Sequence, residues 1–307
     1  MSNAQEHLEK AIQIHPEFAD AHYELALILK DKKDNERSKE HFLKTIEIRP
    51  EFPVAHFNYA LLLKDMKDHK ASQEHFLKAI DLDQHFADAH YHFGLLLADL
   101  EDFEEAKNNL EKATDIDQNH TLAYYHLAKL LIDPEDYEKA KKNYLTAIDI
   151  DESFTDAHYY LGKLVAGGLK NDKDGTLVKK PEYDNAITHY KKAISFNKKY
   201  AKAHYNLALM YKIQRKYEDA RKHFEKAIEI DPNNATSYNN LGAVFVGLKK
   251  HQEAKACYEK AIEIVNDYSK AHFHLAMLLK ETGSVAPNDK VKSSEDSKEQ
   301  KAEKSKS

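Results

Sequence analysis

The 307-residue sequence contains a single cysteine, no tryptophan, eight glycines and seven prolines. A lone Cys257 excludes an intramolecular disulfide and any metal or redox motif built on a cysteine pair, which is typical of a reducing compartment. We therefore expect a cytoplasmic location. The sequence also lacks a run of about 18 apolar residues, the length that a membrane span requires, and its first residues lack the apolar core of a secretory signal.

Sequence signatures of catalysis are missing as well. The chain carries no G-x-x-x-x-G-K-[ST] phosphate loop, no G-x-S-x-G nucleophile elbow and no H-E-x-x-H zinc motif. None of the 19 histidines is followed by another at i+3 or i+4, the spacings that bring two ligands together on a helix. We expect no enzymatic activity, no cofactor and no bound metal.

Charge is unevenly distributed along the chain. Residues 1–162 carry a net charge of −15, residues 163–226 carry +9, and residues 227–307 are balanced. Such blocks indicate either solvated helix faces or a binding surface with two signs of charge. A pI of about 6.3 and the acidic first block argue against binding to a nucleic acid backbone.

A phrase of 13 residues returns along the chain with a period of 34. ADAHYELALILKD at 19–31 is followed by PVAHFNYALLLKD at 53–65 and ADAHYHFGLLLAD at 87–99, and five further copies begin at 121, 155, 201, 235 and 269. One interval, from 155 to 201, is 12 residues longer than the others. A second phrase of the type HFEKAIEIDP alternates with the first, so each period has two halves.

Both halves have helical periodicity. In the first half, His22, Leu25, Ala26 and Leu29 lie at i, i+3, i+4 and i+7, which places them on one buried stripe. Polar and proline-containing segments such as 31–35 and 49–53 end each helix. The pattern predicts repeated helix-turn-helix units.

The repeat resembles the tetratricopeptide repeat family, whose pattern is Leu-Gly/Ala, an aromatic, Ala, Tyr/Phe, Ala and Pro. The copy that begins at 201 matches it with Leu207, Ala208, Tyr211, Ala220, Phe224, Ala227 and Pro232. The resemblance extends from residue 1 to about 283. It implies an all-α fold, a right-handed α-solenoid of tetratricopeptide helix-turn-helix repeats, in which each hairpin is stabilised by its neighbours.

The phase of the phrases divides the chain into segments. Residues 1–18 form a half repeat with a second helix only, 19–268 form seven full repeats, and 269–283 form a half repeat with a first helix only. The 12 extra residues lie within about 166–182 and are expected to be an exposed loop, either a tolerated insertion or a lid. Residues 284–307, rich in Ser, Lys and Glu, are expected to be a disordered tail.

A second stripe on each first helix is the candidate binding surface, because the first stripe already fills the core. In tetratricopeptide repeats this face lines the concave groove, so the resemblance implies that it meets a peptide. Its leading positions are Tyr23, Phe57, Tyr91, Tyr125, Tyr159, Tyr205 and Phe273. The next positions are Leu27, Leu61, Leu95, Lys129, Lys163 and Leu209.

A polar row lies beside the aromatic one. It includes Asn58, His92, His126, Asn206, Asn240 and His274. Asparagine carries both a donor and an acceptor, so its side chain can pair with the backbone of an extended peptide. Six other histidines share one repeat phase and are interpreted as structural residues between helices: His22, His56, His90, His158, His204 and His272.

These patterns predict a protein-interaction scaffold that binds an extended or helical segment of a protein partner in its groove. Two alternatives remain open: a structural subunit held in a large assembly through its convex face and open ends, and the recruiting arm of an enzyme complex. The half repeats leave room for end-to-end self-association. No nucleic acid or membrane partner is expected.

Overall fold

The computed structural model describes residues 2–131, 133–170 and 177–283. The chain divides into two compact units, Met1–Pro181 and Glu182–Ser307, and the boundary falls inside the repeat that carries the extra residues. Each unit is built from antiparallel helix pairs. The predicted disordered tail, 284–307, lies outside the described residues.

The described residues of the first unit form ten helices, α1 to α10. Short polar turns separate them, as the alternating phrases predicted. Their bounds are α1 Ser2–Ile14, α2 Ala19–Asp31, α3 Asn35–Ile48, α4 Pro53–Asp65, α5 His69–Leu82, α6 Ala87–Asp99, α7 Phe103–Ile116, α8 Thr121–Leu130, α9 Tyr137–Ile150 and α10 Thr155–Gly167. A single 3₁₀ turn, Pro134–Asp136, precedes α9.

In the second unit, the part of the chain up to residue 283 forms six helices, α11 to α16. Their bounds are α11 Tyr183–Phe196, α12 Ala201–Ile213, α13 Tyr217–Ile230, α14 Ala235–Gly247, α15 His251–Ile264 and α16 Ser269–Glu281. In both units the first phrase of each repeat forms one helix and the second phrase forms the next. The predicted all-α repeat fold is confirmed.

The core of each repeat lies between its two helices. Phe42 of α3 is fully buried and packs in one cluster with Ala26 of α2 and with Tyr59 and Leu63 of the following α4. Burying an aromatic or aliphatic side chain of this size contributes about 1.5–3 kcal/mol. One ring therefore joins a helix pair to the next pair, and the hairpins stabilise one another.

Small residues on the first helices allow the helix pair to approach closely. A Cβ placed on Gly94 would lie 3.0 Å from Cγ of Leu110, and one placed on Gly242 would lie 2.5 Å from Cε1 of Tyr258. The second distance is shorter than any normal carbon contact, so this position requires glycine unless the ring moves. A small residue at these two positions lets the two helices of the repeat pack closely.

The turns inside five of the repeats have a left-handed residue at the same position. Lys33, Lys67, Glu101, Arg215 and Lys249 have φ between 57° and 64°. In the first of these turns the backbone N–H of Asp34 donates to the carbonyl of Leu29, 2.9 Å away, which closes the helix end. A non-glycine residue in this conformation costs about 1 kcal/mol or more.

The long connection after α10 differs from the expected loop. Two strands, β1 Leu169–Lys170 and β2 Leu177–Lys179, pair antiparallel, with Leu169 opposite Lys179. The connection that was expected to be an exposed loop therefore includes a short pair of strands. The pairing gives backbone N–H and C=O groups hydrogen-bond partners that a plain loop would leave to water. Residues 171–176 lie outside the described part of the chain.

Candidate functional site

The first helices of successive repeats are neighbours within each unit. Helix α4 contacts α2 and α6 in the first unit, and α14 contacts α12 and α16 in the second. Side chains at matching positions of these helices therefore form rows that cross several repeats. We call the surface formed by the predicted binding positions on α2, α4, α6, α8 and α10 the first-helix face.

The aromatic row is more deeply packed than predicted. Tyr91, Tyr125 and Tyr159 are buried, with 5%, 6% and 7% of their surface exposed, so the prediction that these rings are free to contact a ligand is wrong. Rings at the same position in three other repeats are half-buried: Tyr23, Phe57 and Tyr205. Phe273, on the last helix, is 62% exposed.

The packing of Tyr23 shows the cause. Its ring centroid lies 6.1 Å from that of Phe42, in the second helix of the same repeat, and 5.2 Å from that of Phe52, in the turn that follows. The same arrangement recurs in α8, where the ring of Tyr125 lies 5.0 Å from that of Phe154. Phe52 and Phe154, in the turns before α4 and α10, cover the rings that the repeat pattern alone left free.

The predicted polar row lies against the aromatic row of the preceding repeat. Nδ2 of Asn58 donates to the hydroxyl oxygen of Tyr23 at 3.0 Å and to the carbonyl of Val54 at 3.0 Å. Nδ2 of Asn240 donates in the same way to Tyr205, at 3.1 Å, and to a carbonyl of its own helix. Both amide hydrogens are used inside the fold, so the predicted donation to a peptide backbone is wrong for these two residues.

Histidines fill the polar row in the middle of the first unit. The ring centroid of His92 lies 5.5 Å from that of Phe57, and that of His126 lies 5.8 Å from that of Tyr91. Burial lowers the pKa of each imidazole to about 4, so both rings are uncharged at neutral pH. They act as packing residues in the stack.

The members of the polar row in the second unit also interact with other residues of the fold. Nδ1 of His274 lies 2.8 Å from Oδ1 of Asn239, a residue of the preceding repeat. Asn206 is half-buried and has interactions of its own within the fold. The row therefore serves to join repeats.

The third predicted row keeps part of its surface open on the first-helix face. Leu27, Leu61 and Leu95 are half-buried: each rests on the core of its own repeat and keeps part of its surface open. Leu209 has the same exposure class in the second unit. Lys129 and Lys163 replace leucine in α8 and α10 and are exposed.

Charged residues border the leucines, a feature that the sequence interpretation missed. Nζ of Lys64 in α4 lies 2.9 Å from Oδ2 of Asp99, at the end of α6. Burial lowers the pKa of Lys30 in α2, while Asp65 at the end of α4 opposes that shift. The sequence contains Lys-Asp pairs at 30–31 and 64–65, and this repetition could have indicated charged residues beside the leucines.

The structural role predicted for the recurring histidines is confirmed where their contacts are described. Nδ1 of His22 lies 2.9 Å from Nδ1 of His41, and Nδ1 of His204 lies 3.0 Å from Nδ1 of His223. In both repeats the partner is 19 residues later, on the second helix. Sequence reasoning found the first member of each pair and missed the second.

A second surface feature lies on the opposite helices of the first unit. Leu43, Leu77 and Leu145 occupy one repeat position on α3, α5 and α9, and Leu77 is 52% exposed. We call them the second-helix leucines. They were visible in the sequence as the third letter of HFLK, HFLK and NYLT, yet the periodicity argument did not single them out.

Two features of the described part of the chain bear on metal and membrane binding. No group of three or more His, Cys, Asp or Glu side chains within the described ranges is arranged to hold a metal ion. Among the same residues, every helix is too short or too polar to cross a membrane.

Family models match most of the repeats. A model of the tetratricopeptide repeat matches residues 19–52, 54–86, 87–120 and 122–154, and another matches residues 199–267. A TPR repeat model matches residues 176–214. No curated protein sequence matches the chain.

Solved structures share the fold. YrrB, described as a TPR protein with an unusual peptide-binding site, is 22% identical with a TM-score of 0.55, and the match covers 65% of this chain and 96% of YrrB. The C-terminal part of a TPR repeat-containing protein from Cytophaga hutchinsonii is 15% identical with a TM-score of 0.63, covering 82% of this chain and 99% of that one. A tetratricopeptide repeat protein from Parabacteroides merdae is 15% identical with a TM-score of 0.54, covering 85% and 98%.

Proposed function

The chain belongs to the tetratricopeptide repeat family, whose members generally mediate protein–protein interactions, and from that premise we propose that it is a non-catalytic scaffold. In this proposal the first-helix face binds an extended or helical segment of a partner protein. The likeness to YrrB, which is described as having a peptide-binding site, supports this class of ligand.

The observation that carries the proposal is the row of half-buried leucines. Leu27, Leu61 and Leu95 lie on neighbouring first helices, one in each repeat, and each is held in place by the core beneath it. Apolar side chains that are fixed in position and partly open bind a ligand without a large loss of side-chain entropy. The buried tyrosines beneath them support the surface and do not contact the ligand.

The charge beside the leucines sets the character of the ligand. Lys64 forms an ion pair with Asp99, and the carboxylate of Asp65 acts on Lys30, so both lysines interact with a carboxylate of the fold. Lys129 and Lys163, by contrast, are exposed lysines on the same face. We therefore expect a ligand with apolar side chains along α2 to α6 and acidic side chains near α8 and α10.

A randomised peptide library screened against the purified full chain supplies the probe. We expect Leu61→Arg and Leu95→Arg each to weaken the selected peptides by about tenfold to a hundredfold, because an arginine displaces the apolar contact. Leu77→Arg is the matched control, since it makes the same change on an exposed leucine of the opposite helix. Isothermal titration calorimetry measures the affinities, and circular dichroism checks that each variant is folded.

The second-helix leucines favour a second candidate, the structural subunit of an assembly. Exposed leucines at one repeat position on α3, α5 and α9 are an apolar surface that a large partner could cover. If the selected ligands lose affinity with Leu77→Arg and keep it with Leu61→Arg and Leu95→Arg, the second candidate replaces the first.

A further inference from the structure

The last helix presents a face that is covered in complete repeats. In the first complete repeat, His22 and Ala26 of α2 are buried against α3. At the matching positions of α16, His272 and Ala276 are exposed. The 24 residues after position 283 contain no copy of the second phrase.

The first helix presents the complementary face. Helix α1 has the second phrase, and its Leu8 corresponds to Phe42 of α3. Phe42 is fully buried, whereas Leu8 is only half-buried. His7 and Phe18, on either side of this position along the chain, are exposed, Phe18 to 45%.

Complete repeats show which residues of the two helices meet. A histidine pairs with the residue 19 positions later: Nδ1 of His56 lies 2.9 Å from Nδ1 of His75. A small residue lies against the residue 16 positions later, as Gly94 does against Leu110. The leading aromatic ring packs on the residue 29 positions later, and the ring centroids of Phe57 and Phe86 are 4.9 Å apart.

The uncovered residues at the two ends are the missing members of these three contacts. His272 corresponds to the first histidine and His7 to the second. Ala276 corresponds to the small residue and Leu8 to its partner. Phe273, 62% exposed, corresponds to the leading ring, and Phe18 corresponds to the aromatic residue that covers it.

We propose that a second copy of this chain docks its α1 and Phe18 on α16, which completes a repeat between the two molecules. The contact would bring His7 to His272, Leu8 to Ala276 and Phe18 to Phe273. It joins different ends of the molecule, so each added copy exposes a new free end and the association is heterologous. The first-helix face is not required for it, so the proposal stands apart from peptide binding.

Sedimentation velocity of the full chain over a wide concentration range tests the proposal. We expect the mean mass to rise with concentration beyond that of a dimer. Phe18→Asp and Ala276→Arg should each raise the dissociation constant by at least about tenfold, because each places a charge in the apolar contact. Both residues are exposed in the single chain, and aspartate is a favourable residue before a helix, so both variants should fold.

Mixing the two variants gives the sharpest result. Each has one blocked end and one intact end, so an equal mixture should form a one-to-one dimer and nothing larger, while each variant alone stays monomeric. Leu77→Arg, which changes one of the second-helix leucines, is the matched control and should associate as the natural chain does. A mixture that stays monomeric overturns the proposal, as does association that Phe18→Asp and Ala276→Arg leave unchanged.

Thiol labelling distinguishes the other occupants of α16. Ala276→Cys is placed in a Cys257→Ser background so that it carries the only thiol. We expect slow labelling at high protein concentration and fast labelling on dilution. Slow labelling at every concentration in a monomeric chain means that the chain's own tail covers α16. Fast labelling at every concentration means that a second copy does not cover α16 and that its face is free for a different protein. Either result overturns the proposal.

Discussion

His56 and His75 face each other across one helix pair, with their Nδ1 atoms 2.9 Å apart. Nε2 of His56 donates to the carbonyl oxygen of Pro50 at 3.0 Å, so the neutral ring of His56 has an unprotonated Nδ1. His75 must then donate its own Nδ1 hydrogen to that atom. The geometry assigns one tautomer to each ring and leaves no place for a proton on Nδ1 of His56.

This pair predicts that acid destabilises the fold. Burial, together with the neighbouring His56, lowers the pKa of His75 to about 4. The unfolded chain takes up a proton on this residue as the pH falls below about 6.5, whereas the folded chain does so only near pH 4. The stabilisation of the fold by this pair is therefore fully present above about pH 7, and it is lost as the pH falls from about 6.5 to about 4. Because His75 is only half-buried, we expect a contribution on the order of 1 kcal/mol.

The variant His75→Asn isolates this contribution. Asn109 already occupies the corresponding position opposite His90, with 3.1 Å between Oδ1 and Nδ1, so the fold accepts an amide there. Urea unfolding at about pH 7 and about pH 4.5 should show a smaller acid-induced loss in His75→Asn than in the natural chain. An equal loss in the two proteins would show that this pair does not titrate as described.

Tyr125→Ala should destabilise the first unit. The ring is buried between Tyr144 and Phe154, and removing a buried aromatic side chain costs about 3–5 kcal/mol. Phe273→Ala is the matched control, because it is the same repeat position at 62% exposure, and it should cost less than about 1 kcal/mol. Thermal unfolding followed by circular dichroism measures both, and equal losses would contradict the packing described here.

Gly242→Ala should destabilise the second unit by about 1–3 kcal/mol, because the new Cβ would lie 2.5 Å from the ring of Tyr258. Gly167→Ala, at the end of α10, has no neighbouring atom within 4 Å and should be neutral or stabilising by up to about 1 kcal/mol. Urea unfolding of each variant against the natural chain measures the difference. A neutral Gly242→Ala would mean that the helix pair can separate at little cost.

Lys67→Gly should stabilise the fold by up to about 1 kcal/mol. Lys67 lies two residues beyond the end of α4 with φ at 64°, a conformation that glycine adopts without the clash of a Cβ atom. Lys112→Gly, an exposed substitution inside α7, should instead destabilise the fold by about 1 kcal/mol. Thermal unfolding should therefore show that the same change, lysine to glycine, raises the stability at position 67 and lowers it at position 112.

Helix positions and repeat phase could be predicted from the sequence because each repeat has a local signal. The spacing of His22, Leu25, Ala26 and Leu29 specifies one buried stripe, and the structure buries all four. The accessibility of the second stripe could not be predicted in this way. It depends on Phe52, Phe86 and Phe154, residues of the turns, whose packing on the next rings is a tertiary contact.

The prediction that the polar row binds a peptide was wrong for a related reason. An asparagine at a groove position is equally suited to a ligand or to a tyrosine hydroxyl one repeat earlier, and the asparagine taken alone does not separate these roles. Asn58 and Tyr23 are 35 residues apart, which is one period plus one, so the signal lay in the repeat itself. A comparison of adjacent positions in successive repeats would have found the pair.

Leucine methyl resonances of the full chain, followed during addition of a library-selected peptide, test the central claim most directly. Leu27, Leu61 and Leu95 report on the first-helix face, and Leu43, Leu77 and Leu145 report on the second-helix leucines. The scaffold proposed here predicts saturable shifts in the first set while the second set stays unchanged. Shifts confined to Leu43, Leu77 and Leu145 would contradict it.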